Sequence, residues 1–538
     1  MRNRPRASAR ATLYGSRSIG LRGGEAGQEH MSQNGSTAQT GPRLLMLGLD
    51  AVSLPFIREN LDRLPVIASL LENGTVSELH SPASHLAASV WPTFLTGRPP
   101  GEHGQYFPFQ WHAEQCDYRR IADPRWSEEF DVEPFWHGIA RAGVPTIAFD
   151  VAHALHDERA PCLQITNWSY QSSGNAKASD PKVLTEIRRR FGRRPIGAEV
   201  PVPKTERQCD GIRRQLSEAV RSKADATLYL MQRPWRLFVT GWYEAHRAGH
   251  NLWPVEGDFA SDASPDAMLA IYQETDRQLA RVLAELDRSE TPTSLLLFTV
   301  HGMEPNRAQD HFLTEILKRL NRVYLGKASS APGTRPSALN VMAFLRHALP
   351  PTLQYRAASL LGERVQDWVV NRALTAGRDW SETPSVPILS GGEGLIRLNI
   401  KGRESPGFFE PDSAELARYV GWLRERLLAI KVAGTREPLI RKISTADDLF
   451  PGPRRHFLPD LMIEWEPAEP VNRVTSPDIG EIEISLATGR GGNHNASAFM
   501  IARGDEDFLR AAASVSDISG LGGIAEAYLL SEPAARAA

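Results

Sequence analysis

Cysteine is scarce: three in 538 residues (Cys116, Cys162 and Cys209), with no CxxC spacing. An odd, scattered set builds neither a disulfide framework nor a thiolate zinc site and fits a reducing compartment, so a cytoplasmic setting is expected. Long apolar runs are missing too. No stretch approaches the ~18 consecutive apolar residues of a membrane-crossing helix. Nor does one sign of charge dominate: 62 Lys and Arg against 64 Asp and Glu leave a net charge of −2, which argues against a basic nucleic-acid-binding surface. What the chain does have is 41% hydrophobic and 23% charged residues. That composition builds a sizeable core and excludes disorder of the whole chain.

The first forty residues carry six Arg, two Glu and much Gly, Ser and Ala without helical or strand periodicity. They lack the ~7–15-residue apolar run of a secretory signal. An Arg-rich, acid-poor start also suits an organelle transit peptide; an unstructured extension over residues 1–42, or a true start at Met31, is the reading adopted. Order begins with RLLMLGLD, a short apolar run ending in a carboxylate, as a buried parallel strand does. Helices are expected near residues 56–61 and 66–73, the second closed by Gly74. Further strands are expected at VPTIAFD (144–150), WRLFVTGW (235–242), TSLLLFTV (293–300), DLMIEW (460–465) and SAFMIAR (497–503). Residues 265–287 repeat apolar positions at helical spacing between two of them. Strands alternating with helices imply an α/β fold, an open, mostly parallel sheet covered on both faces. Residues 326–410 break the alternation and are expected to form an inserted helical or cap subdomain, with helices at 338–348 and 362–374. The α/β core then comprises 43–325 and 411–530, followed by a tail at 531–538.

In open parallel sheets chemistry collects at the carboxyl ends of the strands. Four such ends carry metal-type donors: Asp50 after RLLMLGL; Glu244, His246 and His250 in WYEAHRAGHNLW; His301 in FTVHGM; and His494 in GRGGNHN. Neutral imidazole and carboxylate are ligands of zinc and related ions. Each residue alone reads equally well as a cap or a packed turn residue. Acid or imidazole at four ends at once points to one cation. His246 and His250 stand four apart and share a helix face, and the residues between them lack the Glu that a zinc protease motif requires. The segment 82–104, PASHLAASVWPTFLTGRPPGEHG, offers hydroxyls at Ser84, Ser89, Thr93 and Thr96; a Ser or Thr beside a metal serves as a nucleophile. His103 is read as structural. Arg247 and Arg490 have the fork to clamp an anion, though surface ion pairs explain them as well. Asn306 and His311 follow a strand end and are expected near the pocket.

The succession LLMLGLD, WPTFLTGRPPGEHG, AGHNLW, FTVHGM and GNHN resembles the alkaline phosphatase superfamily, in its type I phosphodiesterase/nucleotide pyrophosphatase branch, from about Arg43 to Arg503. TG-x-x-P-x-x-HG and the Gly-His pair are the most specific parts. The resemblance implies a three-layer αβα sandwich and hydrolysis of phosphate mono- or diesters by two metal ions, usually zinc, with a metal-bound Ser or Thr as nucleophile. Asp50 matches the family's first metal carboxylate, His250 the His of its Asp-x-x-x-His pair, His301 the His of its Asp-His-Gly and His494 its last metal His. Three positions depart: His246 stands where that first Asp is expected, Val300 replaces the Asp before His301, and the nucleophile position falls on Ala87.

Val300 binds no cation, and losing a carboxylate from paired cation sites weakens the second. Yet four His, one Asp and one Glu remain, so the expectation is a rewired site for one or two divalent ions, zinc first, with Mn or Mg as alternatives. Its metal ligands would be Asp50, Glu244, His246, His250, His301 and His494. Ser89, chosen for its nearness to position 87, is the expected nucleophile; Ser84 or a water made acidic by the cation are the other options. The expected activity is phosphodiesterase-like hydrolysis, or group transfer, on a small-molecule phosphate ester. A non-catalytic ligand-binding relative that keeps the fold is the competing reading, motivated by Ala87 and Val300. A sulfatase, which shares the superfamily fold, is disfavoured, since none of the three cysteine contexts QCDYR, PCLQI and QCDGI matches that group's Cys- or Ser-x-Pro-x-Arg motif.

Overall fold

A computed structural model describes residues 41–121, 129–130, 133–169, 175–193, 195–196, 202–257, 259–327, 363–375 and 378–531. The expected N-terminal extension (but for residues 41–42), the helix expected at 338–348 and the tail beyond 531 lie outside them.

Eight strands form the central sheet: β1 (Arg43–Leu49), β2 (Thr75–Leu79), β3 (Thr146–Phe149), β4 (Leu163–Thr166), β5 (Lys177–Ala178), β6 (Leu237–Trp242), β7 (Thr293–Thr299) and β8 (Ala498–Arg503), in the spatial order β2-β8-β7-β1-β6-β3-β4-β5. The inner strands β7, β1, β6, β3 and β4 run parallel; β8, β2 and β5 join antiparallel towards the edges. β1 is flanked on both sides and buried from Leu44 to Leu49, which is why its sequence is an unbroken apolar run and not an alternating one. One helical layer packs Pro65–Asn73, Glu206–Met231, Glu244–Leu252 and Ala267–Arg288 together; the other joins Val90–Thr96, Phe135–Arg141 and Leu521–Leu530. The fold is thus the three-layer α/β sandwich with a mostly parallel sheet that the sequence implied.

Two expectations change. The run at 460–465 is no strand of the central sheet: Leu461–Trp465 lies in a separate antiparallel sheet between Gly394–Leu398 and Ile440–Thr445. The second apolar core is also larger than the expected insert. It draws on Phe312 through Ile482, including Tyr419, Leu423 and Leu427 of the helix Ala414–Leu428, so of the segment 411–530 the central sheet takes only β8. A short apolar run shows that a strand is buried, and the partner is left open.

Candidate active site

Asp50 follows β1 at once, its N–H donating to the Trp242 carbonyl (2.9 Å), which fixes it beside the end of β6. After β6 the chain turns through Tyr243 into the helix Glu244–Leu252, whose one face carries His246 and His250. After β7, Val300 and His301 lead into Gly302–Pro305, which pairs antiparallel with Gly492–Asn495 and sets Met303 opposite His494. Glycine makes the close approach feasible: a Cβ on Gly492 would stand 2.5 Å from the Gly249 carbonyl oxygen, and one on Gly249 2.8 Å from the Met303 side chain. The glycines of HRAGH and GGNH therefore let helix and strand pair touch, bringing His494 onto the paired imidazoles.

His246 Nδ1 donates to Asp50 Oδ2 (2.5 Å), while Asp50 Oδ1 accepts from Trp91 Nε1 (2.8 Å) and His301 Nε2 (3.1 Å). His250 Nδ1 donates to the Gly492 carbonyl (2.9 Å). With each Nδ1 directed at its acceptor, the Nε2 atoms of His246 and His250 face one another over 2.9 Å, and His494 Nε2 stands 3.1 Å from His246 Nε2. Nδ1 of His301 and Nδ1 of His494 are buried with no hydrogen-bond partner among the described residues. Burial would push Asp50 up, but the charges and hydrogen bonds of His246 and His301 more than offset it and hold the carboxylate well below its ordinary range. Burial pushes His250 and His494 well down, assisted by Arg490 and the neighbouring rings. The result is a nest of imidazoles, with His250 and His494 kept neutral by burial, over an anionic carboxylate.

This donor set fits a divalent cation. Ligand atoms of His246, His301 and His494 all lie within 4.8 Å of one another. The 2.9 and 3.1 Å separations at His246 Nε2 sit just under the ~3.3 Å between ligands of a tetrahedral zinc with bonds of ~2.0–2.1 Å. Facing lone pairs repel, and a cation removes that repulsion. His246 and His250 are also held from behind, by the Asp50 carboxylate and the Gly492 carbonyl, as metal-binding His residues usually are.

Of the expected site residues, the structure brings together Asp50, His246, His250, His301 and His494. Glu244 stands apart: it is 1% exposed, neither oxygen accepts a well-formed hydrogen bond among the described residues, and its charged surroundings are Lys223 and Asp150, themselves a buried pair at 2.6 Å. Burial pushes Glu244 up to about 7, with Lys223 opposing. Ser89 also stands apart, fully buried, its hydroxyl donating to the Gln105 carbonyl (2.7 Å). Thr93 and His103 bond each other (3.1 Å), as suits a structural His103. Val300 is buried and its carbonyl accepts from Ser81 Oγ (2.7 Å). Asn306 is engaged by the Arg490 carbonyl and the Ala308 N–H, and His311 by the Val471 carbonyl.

Several neighbours escaped the sequence reading. Trp91 braces Asp50. His153, pushed down to about 4 by burial, lies within electrostatic reach of Asp50, His301 and His246. Arg490, which the sequence did offer as an anion clamp, lies within reach of His250, His494, Asp310 and Glu393. Most telling is Glu393: its Oε1 accepts from the Ala87 N–H (2.8 Å) and its Oε2 from the Gly391 N–H (2.6 Å). A carboxylate thus sits against the very residue where a nucleophile was expected. Ser84, Glu393, Glu464, Trp465, Asn493 and His494 line one open cleft.

Residues 44–375 match the family model for type I phosphodiesterase / nucleotide pyrophosphatase. No curated protein matches the chain. Similar solved structures include phosphonoacetate hydrolase from Sinorhizobium meliloti 1021 in complex with phosphonoformate, at 12% identity and a TM-score of 0.49, covering 91% of this chain and 96% of that one. Murine ectonucleotide pyrophosphatase / phosphodiesterase 5 follows at 11% identity and a TM-score of 0.43, covering 86% and 88%.

Proposed function

The chain belongs to the type I phosphodiesterase / nucleotide pyrophosphatase family, and on that premise we propose that it is a metal-dependent hydrolase of phosphate mono- or diesters. One divalent ion, zinc first and Mn or Mg as alternatives, would be held by the imidazoles of His246, His301 and His494, with His250 beside them. The observation that carries this reading is the gathering of imidazole nitrogens around His246 Nε2, with Nε2 of His250 and of His494 at 2.9 and 3.1 Å and a His301 ligand atom within 4.8 Å. An ion there supplies Lewis-acid stabilisation of charge on the phosphoryl oxygens. Asp50 orients His246 and His301, the Gly492 carbonyl orients His250, and Arg490 adds positive charge beside the nest. A second cation has poor support, because Val300 supplies no donor and Asp50 is engaged by two rings and an indole.

Ala87 favours a second reading, a ligand-binding relative without turnover. Hydrolysis of bis(p-nitrophenyl) phosphate or p-nitrophenyl phosphate separates the two. The enzyme reading expects turnover with added zinc that is abolished by chelation and by His250→Ala. Ligand-induced stabilisation without turnover, across phosphate and phosphonate esters and with Zn, Mn or Mg, would sink it. The unpaired cysteines support a cytoplasmic setting for this activity. Among the described residues no helix is long and apolar enough to cross a membrane.

A further inference from the structure

Position 87 offers no hydroxyl, and Ser89 faces the protein interior. One helical turn earlier, on the short helix Ala83–Leu86, Ser84 is exposed and its Oγ lies 2.8 Å from His85 Nδ1. The far side of that ring, Nε2, lies 3.2 Å from Glu464 Oε1. A carboxylate only accepts, so neutral His85 carries its proton on Nε2 and presents a lone pair on Nδ1 to the Ser84 hydroxyl. The ring is 13% exposed and sits edge-on to Phe450, with centroids 6.4 Å apart. Hydroxyl, base and orienting carboxylate in hydrogen-bond sequence are the signature of an activated nucleophile, recognised by geometry and not by position in the chain. Ser84 and Glu464 also share the cleft wall with His494, and the helix bearing Ser84 packs against the strand bearing His494.

We propose that Ser84 is the nucleophile of this protein, with His85 as its general base and Glu464 as the positioning residue that holds the imidazole. Burial lowers the pKa of His85 against the pull of Glu464, which favours the ring in its neutral, accepting form. As Ser84 Oγ bonds to phosphorus its proton passes to His85 Nδ1; the bond from phosphorus to the leaving alcohol oxygen breaks, and that oxygen takes the proton from His85. Water then gives its proton to His85 and its oxygen to phosphorus, the Ser84–phosphorus bond breaks, and Ser84 recovers the proton. As a step in ester hydrolysis this rests on the proposed function; the reactivity of Ser84 itself does not.

The test uses the full chain, stripped by chelator and exposed to diisopropyl fluorophosphate, read by intact mass and peptide mapping. The expected result is one diisopropylphosphoryl group on Ser84, absent in Ser84→Ala and slowed at least ~100-fold in His85→Gln, the lower range for loss of a general base. Glu464→Gln should slow labelling with no change in melting temperature, and Glu464→Asp should restore part of the rate. Label only at other residues, or a rate at Ser84 indifferent to His85→Gln, overturns the proposal. Phosphodiester turnover with zinc that persists in Ser84→Ala also overturns it and leaves the hydrolase reading standing. His85-dependent label at Ser84, in a protein that hydrolyses no phosphoester, supports the reactive serine and removes the hydrolase reading.

Discussion

Removing His250 measures how much of the cation's hold depends on the three converging rings. His250→Ala deletes one of the Nε2 atoms that meet beside His246. Losing merely an outer-shell partner weakens a metal site ~10–100-fold, so ~100-fold is a conservative loss for a ligand. At a free zinc concentration of ~100 Kd the intact site gains ~2.7 kcal/mol of stability; with Kd raised ~100-fold the same zinc contributes ~0.4 kcal/mol. At ~2.1 cal/mol/K per residue, spread over the compact unit Gln39–Ala538, these become shifts in Tm of ~2–3 °C and under ~1 °C. The truncation carries a structural cost of its own, because the Gly492 carbonyl loses its donor at 2.9 Å and an unsatisfied buried acceptor costs ~1–3 kcal/mol. That cost lowers Tm with and without zinc alike. The quantity to compare is therefore the zinc-minus-chelator difference within each protein, by scanning calorimetry. Equal zinc shifts in wild type and His250→Ala would refute the assignment of His250 to the cation.

Glu244, pushed up to about 7 by burial, holds a proton in the folded state that the unfolded chain releases near ~4.3. Its contribution to stability is therefore lost as pH rises from ~4.3 to about 7 and is flat above. Glu244→Gln should stabilise the protein relative to wild type by on the order of 3 kcal/mol at pH 8 and by much less at pH 5, as read in urea melts at the two values; an equal difference at both would contradict it. Trp91→Phe keeps the packed ring but removes the N–H that donates 2.8 Å to Asp50. Competition with a chromogenic chelator should show zinc affinity reduced ~10-fold or more, and an unchanged affinity would remove Trp91 from the site's support.

The sequence made the strand ends legible for a plain reason: an apolar run buried on both faces stops where the strand leaves the sheet, and Asp50 and His301, themselves buried, mark such stops. The i,i+4 rule joined His246 to His250 correctly, and it also separates Glu244 from His246, since residues two apart on a helix do not face each other. Glu244 accordingly points to Lys223 and Asp150. What could not be read were the partners of residues 84–87, because both come from the second antiparallel sheet, 306 and 379 residues further along the chain. The register there explains how one structural feature serves both. Gly394 pairs with Ile463 and Leu395 with Met462, so Glu393 and Glu464 stand opposite each other one step beyond the last paired residues. That single strand end delivers Glu464 to His85 and Glu393 to the Ala87 N–H, one carboxylate to each end of the three-residue segment 85–87. A one-residue slip in the pairing would turn one of the two side chains to the opposite face, so the chemistry of residues 84–87 depends on a registry that no local pattern around them encodes.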